Sequence, residues 1–145
     1  MKTKRLHEKA ILPHYATDGS SAFDLFCYED PHWFYEDTNH WLAIVNIGWA
    51  FEIPKGYGMF ILSRSGHGFK YNTHLINSVG LIDSDYRGEV KVKLISFDTM
   101  PPLSIKAGQA IAQAVILPTQ KQYFEVVDEL SVTKRGIKGF GSTDK

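Results

Sequence analysis

One stretch of the sequence decides the fold class, the run Ala110-Ile-Ala-Gln-Ala-Val-Ile-Leu117. It is apolar on both faces of an extended chain, which predicts a strand at the centre of a sheet. Upstream, Glu89-Val-Lys-Val-Lys-Leu94 alternates polar and apolar residues, which indicates a strand with one face in water. Glycine and proline interrupt the chain at short intervals, and no long stretch shows a helical stripe. We therefore predict an all-β sandwich or barrel, with at most a single helical turn after Arg64-Ser-Gly66.

Size and charge narrow the class further. The 145 residues suit a single domain, and 16 Lys and Arg balance 16 Asp and Glu. Zero net charge argues against a protein that coats nucleic acid. No apolar run approaches the roughly 20 residues of a membrane helix, and the charged start lacks a signal peptide's apolar stretch. We expect no nucleic-acid or membrane partner and a cytoplasmic location, with the single cysteine, Cys27, as a buried thiol in a reducing compartment.

The last stretch, residues 131–145, differs from the rest of the chain. It holds four Lys or Arg against one Asp, a net charge of +3, together with three glycines. We therefore divide the chain into a β domain, residues 1–130, and a flexible C-terminal arm, residues 131–145.

Three segments carry side chains suited to chemistry. Leu81-Ile-Asp-Ser-Asp-Tyr-Arg-Gly-Glu89 predicts a β-hairpin tip whose carboxylates, tyrosine and arginine could hold a water, a metal or a sugar; the alternative is a set of solvated turn caps. Ser63-Arg-Ser-Gly-His-Gly-Phe-Lys70 offers donors to an oxyanion, or is an ordinary loop. Arg135-Gly-Ile-Lys-Gly-Phe-Gly-Ser-Thr143 offers phosphate donors and a ring for stacking on a base, or is a flexible end.

Five motifs, taken in order, resemble those of the trimeric deoxyuridine triphosphatase (dUTPase) family nearly end to end. They are residues 13–25, Arg64-Ser-Gly66, residues 77–88, Gly108-Gln-Ala-Ile-Ala-Gln113 and residues 135–143. The resemblance implies an all-β subunit, a distorted jelly roll of β-clip type, whose C-terminal arm is exchanged in a homotrimer. Three active sites would then lie at the subunit junctions.

The resemblance also implies a reaction, the Mg²⁺-dependent hydrolysis of dUTP to dUMP and pyrophosphate. This limits uracil incorporation into DNA and supplies dUMP for thymidylate synthesis. By position, Asp83 would be the catalytic general base for a water that attacks the α-phosphorus in line. Asp24 would hold the metal and the triphosphate through coordinated waters.

The same resemblance implies a substrate-binding set. Tyr86 would pack under the deoxyribose and leave no room for a ribose hydroxyl, Asn77 and the main chain of the 77–83 hairpin would bond the uracil edge, and Phe140 would lie over the base. The complete set is Arg64, Ser65, Gly66, Asn77, Gly80, Leu81, Ile82, Tyr86, Lys91, Gln113, Arg135, Phe140, Gly141, Ser142 and Thr143. The arm would close over bound substrate as a lid.

Some positions depart from the family pattern. Ala110 stands where an arginine is usual, so a supporting ion pair is expected to be missing; His67 and Lys138 are also unusual, and we interpret His67 as an incidental loop histidine. The aromatic run Trp33-Phe34-Tyr35 is either an apolar cluster that caps the core or a patch for an unknown regulatory partner.

Two other functions remain open at this point. A dCTP deaminase-type relative would need a glutamate at about position 93, where this chain has Lys93, and Pro-Gly-Phe where it has Ser84-Asp-Tyr86. A non-catalytic or regulatory trimer of the same fold would not need the carboxylate of Asp83 or the tyrosine at 86.

Overall fold

The computed structural model describes residues 1–36, 40–97 and 104–139. Within these ranges the chain is nearly all β, as predicted, with one short helix. The strands are β1 Lys2–Arg5, β2 Phe23–Phe26, β3 Trp33–Glu36, β4 His40–Asn46, β5 Trp49–Glu52, β6 Tyr57–Leu62, β7 Thr73–Leu75, β8 Val79–Ile82, β9 Lys91–Ser96 and β10 Ala110–Pro118, and the helix is α1 Ser65–Tyr71.

The strands form three antiparallel sheets. Sheet I pairs β1 with β5, sheet II has the order β2-β10-β6-β8, and sheet III has the order β3-β4-β9-β7. Strand β10 lies between β2 and β6, so the prediction of a central strand is confirmed. In β9 the side chains of Val92 and Leu94 are buried while Lys91 is exposed, which confirms the prediction of one wet face.

Side chains of sheets II and III form one hydrophobic core. Leu25, Met59 and Ile61 come from sheet II, and Val45 and Leu94 come from sheet III; all five are 2% exposed or less. Apolar burial of this extent is the main stabilising term of such a domain.

Cys27 belongs to this core and is fully buried, as predicted. Its thiol donates weak hydrogen bonds to the carbonyls of Lys106 and Gln109 at 3.3 and 3.4 Å. Burial is the main reason that the pKa of this thiol is raised, and the thiol therefore stays protonated.

Helix α1 is longer than the single turn that the sequence predicted. It runs for 7 residues, ends at Tyr71 and is capped by Asn72, whose φ of 45° lies in the left-handed region. None of its residues is buried, and Phe69 is 96% exposed. Because the helix has no buried stripe, periodicity of apolar residues could not reveal its length. In the described part of the chain, no helix is long and apolar enough to cross a membrane.

The predicted β-hairpins are wrong in their pairing. Strand β8 pairs with β6 in sheet II, whereas β7 and β9 pair with each other in sheet III. The turn at 76–78 and the segment 83–90 therefore carry the chain from one sheet to the other. Alternation of residues identifies a strand but not its partner, so the sequence could not show this change of sheet.

Two remaining segments bear on the predictions. Residues 119–139 contain no helix or strand and are exposed throughout. In the aromatic run, the ring of Trp33 packs against the core, while Tyr35 is 56% exposed and meets Trp41 edge to face at 5.3 Å between ring centroids. The core-capping interpretation therefore holds for Trp33.

Candidate functional site

The first of two candidate pockets, which we name the Arg64 cleft, has a volume of ≈ 480 Å³. The strand register of sheet II forms this cleft, because Gln113 of β10 lies opposite Asp24 of β2 on one side and Leu62 of β6 on the other. Arg64 lies two residues after the end of β6. The polar residues that line the cleft are Ser20, Ser21, Asp24, Arg64, Ser65 and Gln113.

Arg64 is fixed in this cleft by two contacts. Its Nη1 donates to the carbonyl of Ala110 at 3.0 Å, and its Nε lies 3.6 Å from Oδ1 of Asp24. The side chain of Gln113 donates to the carbonyl of Ser63 at 3.3 Å, which ties the same loop to β10. A guanidinium held in this way presents its remaining donors in a fixed plane, suited to an anion with several oxygens.

The main chain of the cleft adds further donors. Arg64 is the residue before the first turn of α1, and its carbonyl accepts from His67 and Gly68. The amides of Ser65 and Gly66 open that turn, and the first N–H groups of a helix have no preceding helical carbonyl to bond. A Cβ on Gly66 would meet nothing within 4 Å, so an incoming ligand can approach this backbone closely.

His67 lies half-buried beside this cleft. Burial, and then the positive charge of Arg64, lower the pKa of His67 below its ordinary value of 6.5. The imidazole is therefore held in its neutral form at neutral pH.

The second pocket, which we name the Asp83 pocket, has a volume of ≈ 300 Å³. It forms where the chain leaves β8 and enters β9. Its lining residues are Leu81, Ile82, Asp83, Tyr86, Glu89, Val90 and Lys91, five of which the sequence predicted as site residues.

Hydrogen bonds within the turn hold the Asp83 pocket in shape. The amide of Tyr86 donates to the carbonyl of Asp83 at 3.2 Å, and its hydroxyl donates to the carbonyl of Glu89 at 3.0 Å. Arg87 turns back and donates from Nη1 to the carbonyls of Ser84 and Tyr86 at 2.7 and 2.9 Å. Arg87 therefore closes the turn, while Asp83 and Tyr86 face the pocket together.

Sequence reasoning missed several lining residues. Ser20 and Ser21 lie in the first motif and carry hydroxyls next to a glycine, a signal that could have identified them. Glu89 stands between the turn segment and the alternating strand, and nothing in the local sequence marks its contact with a residue 41 positions away, Gly48.

Among the residues that the structure describes, none lines both pockets. Gln113 lies beside Leu62, which lies beside Val79, and Asp83 follows four positions further along. Asp83 is thus about 13 Å from this row, measured along the strands. Asp24 lies at the other end of the row, about three strand spacings, ~14 Å, away across the sheet. One chain does not bring its predicted base and its predicted metal carboxylate together.

Other predicted residues lie outside both pockets. Gly80 pairs with Ile61 inside sheet II, Asn77 lies in the turn before β8, and Arg135 donates to the carbonyl of Lys138 in the exposed terminal segment. Phe140, Gly141, Ser142 and Thr143 fall outside the described residues.

The Arg64 cleft supplies only part of the ligand set that a magnesium ion needs. Over residues 1–36, 40–97 and 104–139, no three His, Cys, Asp or Glu side chains come close enough to enclose a metal. Asp24 supplies one carboxylate to the cleft, with its side chain 20% exposed. Mg²⁺ commonly binds through one or two carboxylates, waters and substrate phosphates, so this donor set suits a metal that arrives with a phosphate chain.

Fold and site together define an all-β protein of the jelly-roll or β-clip class with a divided polar site. A model of the dUTPase family matches residues 8–144. The chain is 42% identical over 145 residues to the deoxyuridine 5'-triphosphate nucleotidohydrolase of Nautilia profundicola, with 100% of this chain and 99% of that protein covered. For the protein of the same name from Hydrogenobaculum sp., the identity is 44% over 140 residues, with 97% and 94% covered.

Solved structures agree with these relatives. The dUTPase of Staphylococcus bacteriophage 80alpha with dUPNHPP superposes with a TM-score of 0.81 and 26% identity, covering 97% of this chain and 96% of that one. The chain belongs to the dUTPase family, which confirms the resemblance seen in its five motifs.

Proposed function

We propose that this protein hydrolyses dUTP to dUMP and pyrophosphate. The observation that carries this function is the turn at the end of β8, which sets the carboxylate of Asp83 beside the ring of Tyr86 in one pocket. Asp83 acts as general base for the attacking water, and in-line attack at the α-phosphorus releases pyrophosphate. Because dUTP is a nucleotide of DNA synthesis, we place the protein inside the cell.

The Asp83 pocket selects the nucleoside. Tyr86 is 45% exposed, so one face of its ring remains available to pack under a deoxyribose and exclude a 2′-hydroxyl. Asn77 and the main chain of 77–83 bond the uracil edge. A site built to bond one base edge rejects the wrong edge strongly, because its buried polar groups would be left unpaired.

The Arg64 cleft holds the phosphates. Arg64, Ser65, Gly66 and Gln113 supply side-chain and main-chain donors, and Asp24 faces the same space. Mg²⁺, when bound with the triphosphate, would neutralise the leaving charge and fix the phosphate chain. Asp24 would hold it through coordinated waters.

A homotrimer completes the site. A general base must come within hydrogen-bond reach of the water that attacks the phosphate. Within one chain the two pockets are too far apart for Asp83 to reach a water at a phosphate held in the Arg64 cleft. The Asp83 pocket of one subunit would therefore face the Arg64 cleft of a neighbour. The segment 119–139 favours the same assembly. Its apolar side chains Tyr123, Phe124 and Val126 are 96–98% exposed in a single chain, and a neighbouring subunit would cover them. The end of the chain would bring Arg135, Phe140, Gly141, Ser142 and Thr143 over the bound nucleotide.

The activity is tested by pyrophosphate release from dUTP, dCTP, dTTP and UTP with Mg²⁺. Selective release from dUTP is the expected result. Ammonia from dCTP would instead identify a deaminase, and no reaction with any nucleotide would identify a regulatory trimer. The structure disfavours the deaminase, because Lys93 lies over the ring of Phe34, with Nζ 5.9 Å from its centroid, and does not line the Asp83 pocket.

The shared site is tested by mixing two inactive variants, Asp83→Asn and Arg64→Ala, after unfolding and refolding them together. In a random mixed trimer, about one quarter of junctions would combine an intact Asp83 with an intact Arg64 from another chain. Activity near that fraction of the wild-type rate is expected. If each site used a single chain, the mixture would stay as inactive as its components.

A further inference from the structure

Glu89 connects the Asp83 pocket to a distant turn of the fold. Its Oε1 accepts from the main-chain amide of Gly48 at 2.9 Å, and its Oε2 lies 3.9 Å from Nζ of Lys91. Its side chain is only 22% exposed, so the contact with Gly48 is largely shielded from solvent, whereas the side chain of Lys91 is 55% exposed. Its own carbonyl accepts the hydroxyl of Tyr86 at 3.0 Å. One residue therefore joins the ring of Tyr86 to the turn between β4 and β5.

The Gly48 end of this connection is rigid. Gly48 has a φ of 73°, and a Cβ there would lie 2.6 Å from the Cβ of Ala10. Its carbonyl accepts from Leu6 at 2.8 Å, and the next residue, Trp49, accepts from the amide of Val90 at 3.0 Å. Since the turn is packed and bonded on both sides, it can fix whatever it holds.

The Tyr86 end depends on the main chain that Glu89 fixes. A Cβ on Gly88 would lie 2.4 Å from the Tyr86 hydroxyl oxygen, so the ring rests directly against the backbone at 88. The hydroxyl then reaches the carbonyl of the following residue. A shift of residues 88–89 would therefore move the ring with them.

We infer that Glu89 is a positioning residue for sugar selection: by anchoring to Gly48 it fixes the main chain that holds Tyr86, and so sets how closely the ring approaches the 2′ carbon. This rests on the proposed function, in which Tyr86 excludes ribose. Steric exclusion of a single hydroxyl is sensitive to small displacements, because a loosened ring can move aside to admit it.

The experiment compares kcat/KM for dUTP and UTP in the wild type, Glu89→Ala, Glu89→Gln and Asp30→Ala. Asp30 is the matched control, because it also accepts from a main-chain amide, Ala107 at 2.7 Å, and pairs with a lysine, Lys106 at 3.0 Å, but lines neither pocket. For Glu89→Ala we expect the dUTP preference to fall by about tenfold or more, the scale on which pocket misfits discriminate.

The conservative variant separates positioning from charge. The amide oxygen of Glu89→Gln can still accept from Gly48, so this variant should keep the preference within about threefold of wild type. Asp30→Ala should keep it as well. If Glu89→Ala lowers both rates equally and leaves the ratio unchanged, the residue is merely structural and the inference is wrong.

Two additions keep the test decisive. Tyr86→Phe removes only the hydroxyl that donates to the Glu89 carbonyl, and it should also lower the preference for dUTP over UTP. This variant replaces Glu89→Ala in the test if Glu89→Ala does not fold. If the wild type fails to turn over dUTP, the proposed function is wrong, and calorimetric binding of dUMP and UMP to the same variants tests Glu89 separately. An equal ratio of dissociation constants in all variants would then overturn the inference.

Discussion

The Asp83 pocket and the Arg64 cleft are built in opposite ways. The pocket comes almost entirely from one segment, residues 81–91, whose turn is closed by its own hydrogen bonds. The cleft joins Asp24, Arg64 and Gln113, which only the register of three strands brings together. A local turn can fix a catalytic carboxylate and an aromatic ring through its own hydrogen bonds. Neighbouring strands in register can instead place a cation and a carboxylate side by side.

This difference assigns different work to the two pockets. The pocket holds a carboxylate and an aromatic ring, which suit a water and a sugar, and the cleft holds a fixed guanidinium and amide donors, which suit phosphate oxygens. Variants on one side should therefore change selection of the nucleoside, and variants on the other should change binding of the phosphates.

The largest effect is expected for Asp83→Asn. The amide cannot take a proton from water, so kcat should fall by about 10²–10⁴-fold. Asp83 accepts from Tyr86 through its main chain, so the turn should persist and the melting temperature should match wild type. Near wild-type turnover in steady-state pyrophosphate release would show that another group activates the water.

Next in size is Arg64→Ala, which empties the cleft of its guanidinium. Misplacing a phosphate chain by about 1 Å costs roughly 10²-fold, so kcat/KM should fall by that order for dUTP and UTP alike. Lys106→Ala serves as a control, because it breaks an ion pair that lines neither pocket. A change in the dUTP to UTP ratio with Arg64→Ala would contradict the division of work between the pockets.

The same difference explains what the sequence could predict. Asp83 and Tyr86 lie in one turn, so a single sequence motif was enough to identify both. The apolar composition of Ala110–Leu117 was enough to predict a central strand. The change of sheet between β8 and β9 depends on pairing, which alternation does not encode.

Long-range contacts were equally invisible to the sequence. The hydrogen bond from Gly48 to Glu89 joins residues 41 positions apart, and the one from Arg64 to the Ala110 carbonyl uses a main-chain atom that any residue would supply. Where an ion pair was expected to be missing because of Ala110, Arg64 itself meets Asp24.

A smaller effect is expected from a pair of glycine substitutions. A Cβ at Gly88 would meet the far end of the Tyr86 side chain, so Gly88→Ala should displace the ring and raise KM for dUTP by about tenfold without much loss of stability. Gly66→Ala meets nothing within 4 Å in the free protein and should leave the melting temperature unchanged. Equal KM values for Gly88→Ala and wild type would show that the ring does not contact the nucleoside.

The smallest effect concerns pH and belongs to the Arg64 side, since no histidine of the described residues lines the Asp83 pocket. Burial and Arg64 lower the pKa of His67 below 6.5 in the folded state. Between the two pKa values the unfolded chain binds more protons, so stability rises with pH there and is lost as pH falls below about 6.5. His67→Asn should remove that part of the loss and give a shallower dependence of the urea midpoint on pH from 7.5 to 5.5. The two proteins differ only at position 67, so the difference between the two slopes reports on His67. Identical slopes would mean that the imidazole charges freely in the folded protein, and that the cation of Arg64 does not act on it.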